Sequence, residues 1–293
     1  MTSDRLRGPP GDRDPDTLRS FGVINLDKPP GPSAHQVSSW VKSLTGLDRA
    51  AHAGTLDPKV TGVLPVLLSD ATRLVPALLE GAKEYVAVLE LHASPPGDLE
   101  STIAEFEGEI YQKPPRKSAV ARRLRTRTVQ DLELLEVRDR QALLRMTVES
   151  GTYVRKLCHD IGLALGTGAH MGDLRRTATT PFDDTDLSTL AELSDAMARY
   201  EETGQADWLR AVIAPGERAL AHLPSLVIAP SAAREVAHGA PVYAPGVIEG
   251  PTGEVPGLVV AETPDGAAVA LGRLVGDPRA ESGTVLDLEA VLV

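Results

Sequence analysis

Sulfur, aromatic rings and lysine are all scarce in this chain of 293 residues, and each shortage closes off a class of explanation. Cys158 is the only cysteine, which excludes an intrachain disulfide and a cysteine-based zinc site. No apolar run approaches the roughly eighteen residues that a membrane-spanning helix needs. The opening MTSDRLRGPPGDRDPDTLRS carries charge where a secretory signal would be apolar, so the sequence predicts an intracellular, cytoplasmic protein with no membrane contact. Acidic residues number 41 against 30 basic ones, and only seven of the basic set are lysines. An acidic mean argues against nucleic acid as a partner, because phosphate neutralisation supplies much of that affinity. Few lysines beside many acids and much alanine suggest a salt-loving source. Screening there is short-ranged, and binding falls to close, bidentate arginine contacts.

The mean charge hides a concentration. Between residues 111 and 130 there is no Asp or Glu, yet Lys113, Arg116, Lys117, Arg122, Arg123, Arg125 and Arg127 are all cationic. Such a run is either a solvated face or a phosphate-binding segment.

Residues 1–19 are polar and proline-rich and read as a disordered arm. FGVINLDKPPGPSAHQVSSWVKSL then reads as strand, turn and helix, with Ser33 as N-cap and Val37, Trp40, Val41 and Leu44 as the inward stripe. Lys28, between strand and prolines, reads as an exposed turn residue, and His35 as a surface one. GVLPVLL is a buried strand, and EYVAVLELHA alternates with Tyr85, Ala87, Leu89 and Leu91 on one face. ALLRMTVESGTYVRKLCHDIGLALG begins as a strand, turns at Gly151 and continues as a helix with Val154, Leu157, Ile161 and Leu165 inward. Strands and helices without a regular βαβ period predict an α+β domain over 20–215. Beyond about residue 215 short apolar runs are broken by Pro and Gly every eight to twelve residues, which predicts a small β-barrel or sandwich over 216–293.

Two site readings fail on spacing. The glycines at 162, 166, 168 and 172 fit neither GxGxxG nor a P-loop, and His159, Asp160 and His170 lack metal-ligand spacing. A third stretch is more telling. In AHAGTLDPKVTGVLPVLL, Asp57 stands between glycines and a proline with an apolar run behind it. On its own this is an Asp-Pro turn.

Taken in order, GVINLDKPPGPSAH, HAGTLDPKVTGVLPV, KEYVAVLELH, GTYVRKLCHDIG and AHMGDLRRT resemble the motifs of the TruB family of RNA pseudouridine synthases. DKPPGP, DPKVTG and YQKPPRKSAVARRLRTRT, with a tail starting LPSLVIAPSAAREVAHGAP, are similar to its archaeal, dyskerin-type branch. SAHQ and HAG depart from that branch's Thr-Ser-His-Glu and His-Ser-Gly, and TPDGAAVALG replaces a lysine-bearing segment. The resemblance implies a mixed-sheet catalytic domain followed by a β-barrel PUA domain that binds RNA. It also implies partners: a box H/ACA guide RNA, the target RNA, and small zinc-ribbon-like, Gar-type and kink-turn-binding proteins. A stand-alone enzyme for the T-arm of tRNA and a catalytically silent RNA scaffold are the two competing readings.

Pseudouridine formation breaks the N1–C1′ bond of uridine, turns the base and rejoins it through C5, so no cofactor is needed. The chemistry calls for one ionised carboxylate beside sugar and base, as nucleophile, base or stabiliser of positive charge. The resemblance assigns this to Asp57, with Arg155 as its ion-pairing partner and Tyr85 packing on the flipped base. It implies that Tyr153 and Leu174 close the pocket and that His52 enters the RNA beside the target. Lys28 and Pro29 would brace the catalytic loop, and Arg175 and Arg176 are candidate phosphate contacts, as are Arg122, Arg123, Arg125 and Arg127.

Overall fold

The computed structural model describes residues 6–114 and 121–293, and its first element corrects the sequence reading. From residue 6 the expected disordered arm is folded. Pro10–Asp12 make a 3-10 turn and Pro15–Ser20 a helix, α1. Asp14 caps α1 by accepting the backbone N–H groups of Asp16 and Thr17, and Pro15 takes the first helical position, where no N–H is required. Leu18 is buried, and Arg13 is held by Glu217 through bonds of 2.7 and 2.6 Å. The high charge and proline content concealed a helix-start signal in DPDT. Residues 1–5 of the arm lie outside the described residues.

β1 (Gly22–Lys28) leads to α2 (Ala34–Thr45), β2 (Ala50–His52) and β3 (Thr61–Leu68). Then come α3 (Val75–Leu79), β4 (Lys83–Leu91), α4 (Leu99–Ala104), β5 (Gly108–Gln112), β6 (Arg125–Arg138) and β7 (Gln141–Val148). The first sheet is completed across α5 (Val154–Ala164), β8 (Ala169–Thr179), β9 (Phe182–Asp183), α6 (Leu190–Thr203), α7 (Asp207–Val212) and β10 (Ala214–Pro215). The strand order is β10-β1-β3-β8-β4-β7-β6-β5, with β2 on β3 and β9 on β8.

Ser33 caps α2 as expected, in a reciprocal capping box with Gln36. The buried stripe of α2 is Ala34, Val37, Ser38, Val41 and Thr45, so Trp40 faces outward at 46% exposure, against the expectation. β3 is apolar from Val63 onward because both its faces are covered: Val63 and Leu67 join one cluster, and Leu64, Val66 and Leu68 another.

One short contact divides the sheet. β3 and β8 pair in parallel at Thr61↔Arg175 and Gly62↔Arg176, the one parallel ladder of this sheet among the described residues. A Cβ on Gly62 would stand 2.1 Å from the Arg176 carbonyl oxygen, so only glycine lets the strands meet. On one side of this seam lies a core under α2, α6 and α7. On the other lies a core between β4, β7 and α5. Tyr85 and Leu174 pack against both.

The second sheet comprises β11 (Ser225–Ile228), β12 (Val242–Tyr243), β13 (Val247–Glu249), β14 (Val259–Glu262), β15 (Ala268–Leu274) and β16 (Thr284–Val291), with α8 (Pro230–Val236) after β11. Its order is β12-β16-β15-β14-β11-β13. Val260, Ala268, Leu271 and Leu292 of this unit share a hydrophobic cluster with Phe21, Leu74 and Phe182 of the first. Arg7 adds a contact, with its guanidinium 3.9 Å from the Phe21 ring centroid and a bond to the Leu292 carbonyl.

Candidate active site

The loop from β2 to β3 lies at the seam. Leu56 and Val60 are buried in the α2 core on either side of Asp57, and the Val60 N–H closes a turn on the Asp57 carbonyl at 3.0 Å. Lys28 sits beneath. Its ammonium donates to the carbonyls of Pro29, Pro58 and Val60 at 3.1, 2.9 and 2.8 Å, and the residue is 0% exposed. Burial pulls its pKa below the usual ammonium value, and the nearby Asp57 charge pushes it back up. Lys28 is therefore neither an exposed turn residue nor available to substrate, since all three of its N–H groups are taken by loop carbonyls. The geometry is that of a brace.

Arg155 lies in the first turn of α5, whose buried face is Val154, Leu157, Cys158 and Ile161, so its side chain projects away from the core. A cation there opposes the helix dipole, and a carboxylate alongside offsets the penalty. Its Nη2 bonds the Asp57 carboxylate. Both side chains remain open, Arg155 at 59% and Asp57 at 54% exposure.

Tyr85 and Leu174 are half-buried where the two cores meet, on β4 and β8. The Tyr85 side chain interacts with the Arg176 guanidinium, whose Nε donates to the Val63 carbonyl at 2.8 Å. Arg176 is 1% exposed and reaches the catalytic loop from below: a Cβ on Gly54, where φ is +90°, would stand 3.2 Å from its Nη1. Burial lowers its pKa, and Tyr85 works against that. So Arg176 cannot serve as a phosphate contact. It ties Tyr85 and β3 together beside the Asp57 loop. Arg175 is also engaged, through both Nη atoms on Asp27 at 2.9 and 3.2 Å. His52, at the end of β2, is half-buried, and desolvation, His35 and Arg176 all hold its pKa down. Tyr153 is the residue immediately before α5 and is half-buried.

The basic segment divides. Arg122 and Arg123 are exposed and Arg125 is half-buried, so these can meet a phosphate backbone. Arg127 turns inward at 20% exposure, 3.5 Å from the Glu149 carboxylate and against Gly151, and is not free to do so. Arg116 and Lys117 lie outside the described residues. Among the described residues no group of three or more His, Cys, Asp and Glu is placed to hold a metal.

Two residues escaped the sequence reading. Gln112, nearly fully buried at the end of β5, accepts the Tyr153 N–H at 2.9 Å and donates to the Tyr153 carbonyl at 3.2 Å. Lys83, buried two residues before Tyr85, donates to the carbonyls of Leu79 and Gly81 at 2.7 and 2.5 Å, with its pKa lowered to about 8 by burial and then by Arg176. Both polar partners are main-chain atoms, so no side-chain pattern announces them.

A mixed sheet, a second small β unit and an arginine-paired aspartate on an open face suit an enzyme for a macromolecular substrate. Residues 42–98 match the TruB family pseudouridylate synthase N-terminal domain, and residues 155–221 the tRNA pseudouridylate synthase B C-terminal domain. A probable tRNA pseudouridine synthase B from Halobacterium salinarum is 66% identical, covering 98% of this chain and 99% of that protein. One from Pyrococcus abyssi is 48% identical over 98% and 88%. Among solved structures, a Cbf5–Nop10–Gar1 complex has a chain 46% identical with a TM-score of 0.93, covering 100% of this chain and 91% of that one. A chain of an H/ACA RNP bound to a substrate RNA containing 2′-deoxyuridine is 44% identical with a TM-score of 0.91, covering 100% and 92%. The chain belongs to the TruB family of pseudouridine synthases, which are RNA isomerases. The acid-rich, lysine-poor composition accords with its relatives in Halobacterium and Haloarcula. Among the described residues no helix is long and apolar enough to cross a membrane.

Proposed function

We propose that this chain converts uridine to pseudouridine in RNA selected by a box H/ACA guide, with Asp57 as the reacting carboxylate. The observation that carries the chemical half is the Asp57–Arg155 pair on a braced loop, open to solvent. A flipped uridine presents C1′ to the carboxylate. The N1–C1′ bond breaks, the C5–C1′ bond forms, C5 loses its proton and N1 gains one, so the formula is unchanged. Arg155 holds the carboxylate in place. Tyr85 and Leu174 supply the surface on which the everted base packs, offsetting part of the few kcal/mol that flipping costs. His52 and Tyr153 border that surface, and Arg122, Arg123 and Arg125 take the RNA backbone.

Guidance is supported by likeness over the whole chain, second sheet included, to proteins solved with Nop10, Gar1 and RNA. On this reading the chain's partners are a guide RNA, its target and counterparts of those small proteins. The names of the relatives favour a second reading, a tRNA enzyme that needs no guide. Incubating the full chain with tRNA, and separately with guide, target and partner proteins, and mapping pseudouridine by mass spectrometry distinguishes them. Product only in the guided mixture supports the proposal. Full turnover of tRNA by the chain alone replaces it with the second reading. No product in either, with RNA still bound, leaves the silent scaffold.

A further inference from the structure

α5 carries Arg155 in its first turn, yet no side chain of its own caps the helix: Tyr153 makes no side-chain cap bond there. A helix start without such a cap has loosely held orphan N–H groups and frays first. Here the start is fixed from outside. Gln112 applies both ends of its amide to one peptide position, accepting from the Tyr153 N–H and donating to the Tyr153 carbonyl, and it does so from full burial. The turn before Tyr153 is gripped on its other side by β6: the Glu149 carboxylate accepts the Thr128 N–H at 2.9 Å, and Arg127 lies against Gly151. Thus the two strands that flank the basic segment, β5 and β6, hold the turn that leads into α5. Lys113, the first cation of that segment, directly follows Gln112.

We propose that Gln112 is a positioning residue for Arg155, a role that rests on the Asp57–Arg155 pair being the reacting site. Gln112 fixes where Tyr153 lies, Tyr153 fixes the first turn of α5, and the turn aims the guanidinium at Asp57.

The test compares the full-length wild type with Gln112→Met, which keeps the volume and removes both bonds, and Gln112→Glu, which matches the amide in shape. Three readouts are needed: turnover at saturating RNA, RNA affinity, and the Arg155 guanidinium N–H signal in 15N NMR. For Gln112→Met we expect turnover to fall about 10- to 100-fold, as misplacement by about an ångström does. RNA affinity should stay within about twofold, and the Arg155 signal should move to the position of a free guanidinium. Gln112→Glu should regain turnover relative to wild type as pH falls, because a protonated carboxyl restores one donor and one acceptor. Wild-type turnover or an unmoved Arg155 signal in Gln112→Met overturns the proposal, as does weaker RNA binding with unchanged turnover. Failure of the underlying reading has a different signature: Asp57→Asn would then be as active as wild type, while the NMR signal still reports whether Gln112 places Arg155.

Discussion

Two sets of charged residues meet at the seam between β3 and β8, and they differ in almost every physical respect. Lys28 and Arg176 are essentially inaccessible: the Lys28 ammonium donates to the carbonyls of Pro29, Pro58 and Val60, and the Arg176 Nε to that of Val63, with the buried Arg176 Nη2 left unpartnered. Asp57 and Arg155 are more than half exposed and bond each other. A buried charge is stabilised by the hydrogen bonds it makes, so Lys28 with its three carbonyl partners is costly to disturb and contributes to one loop geometry. An exposed pair adds little to stability. On the proposed function, its placement follows from what it can do to an incoming nucleoside. Rigidity and the proposed reactivity thus fall to different side chains at one seam.

The strongest way to test this contrast is Asp57→Asn. We expect pseudouridine formation to fall to background, with stability within about 1 kcal/mol of wild type; retained turnover would remove Asp57 from its role. Lys28→Met should do the reverse in kind, lowering stability in urea by about 2–4 kcal/mol through the unpaired carbonyls it leaves. Unchanged stability would show that the loop stands without its brace. Neutralising Arg122, Arg123 and Arg125 together should lower the salt slope of RNA binding by about 0.7–0.9 for each phosphate no longer neutralised, with little change in melting. An unaltered slope would return these three to a solvated face. The smallest effect concerns Lys83, whose folded pKa of about 8 lies below the ordinary value of 10.5. A depressed base contributes stability that is complete above its unfolded pKa and lost as pH falls through the folded one. Wild type should therefore gain on Lys83→Met between about pH 8 and pH 10.5, and a flat difference would place the ammonium in water.

Much of this molecule was legible because local rules and tertiary packing agree. The Ser33 cap, the alternation of β4 from Ala87 to Leu91 and the inward face of α5 all follow from patterns that a folded core reinforces. Trp40 was misread because a helix can satisfy a stripe with smaller residues, here Ala34, Ser38 and Thr45, when strands lie close behind. Lys28, Arg176 and Arg127 were misread for a shared reason: type predicts exposure for a long cation, and only the fold reveals carbonyls or a glycine waiting to receive it. Asp57 and Arg155 stand 98 positions apart, and no periodicity joins them. Family resemblance brought them together, and the loop and helix geometry now gives that pairing a physical basis. The arm was lost to composition, which weighs charge and proline without seeing that Asp-Pro is also how a helix begins.

The cluster uniting Phe21, Leu74 and Phe182 with Val260, Leu271 and Leu292 gives the molecule the character of a calliper. On the proposed function, RNA touching both sheets would meet two surfaces held at one span from each other, because hydrocarbon fills the join between them.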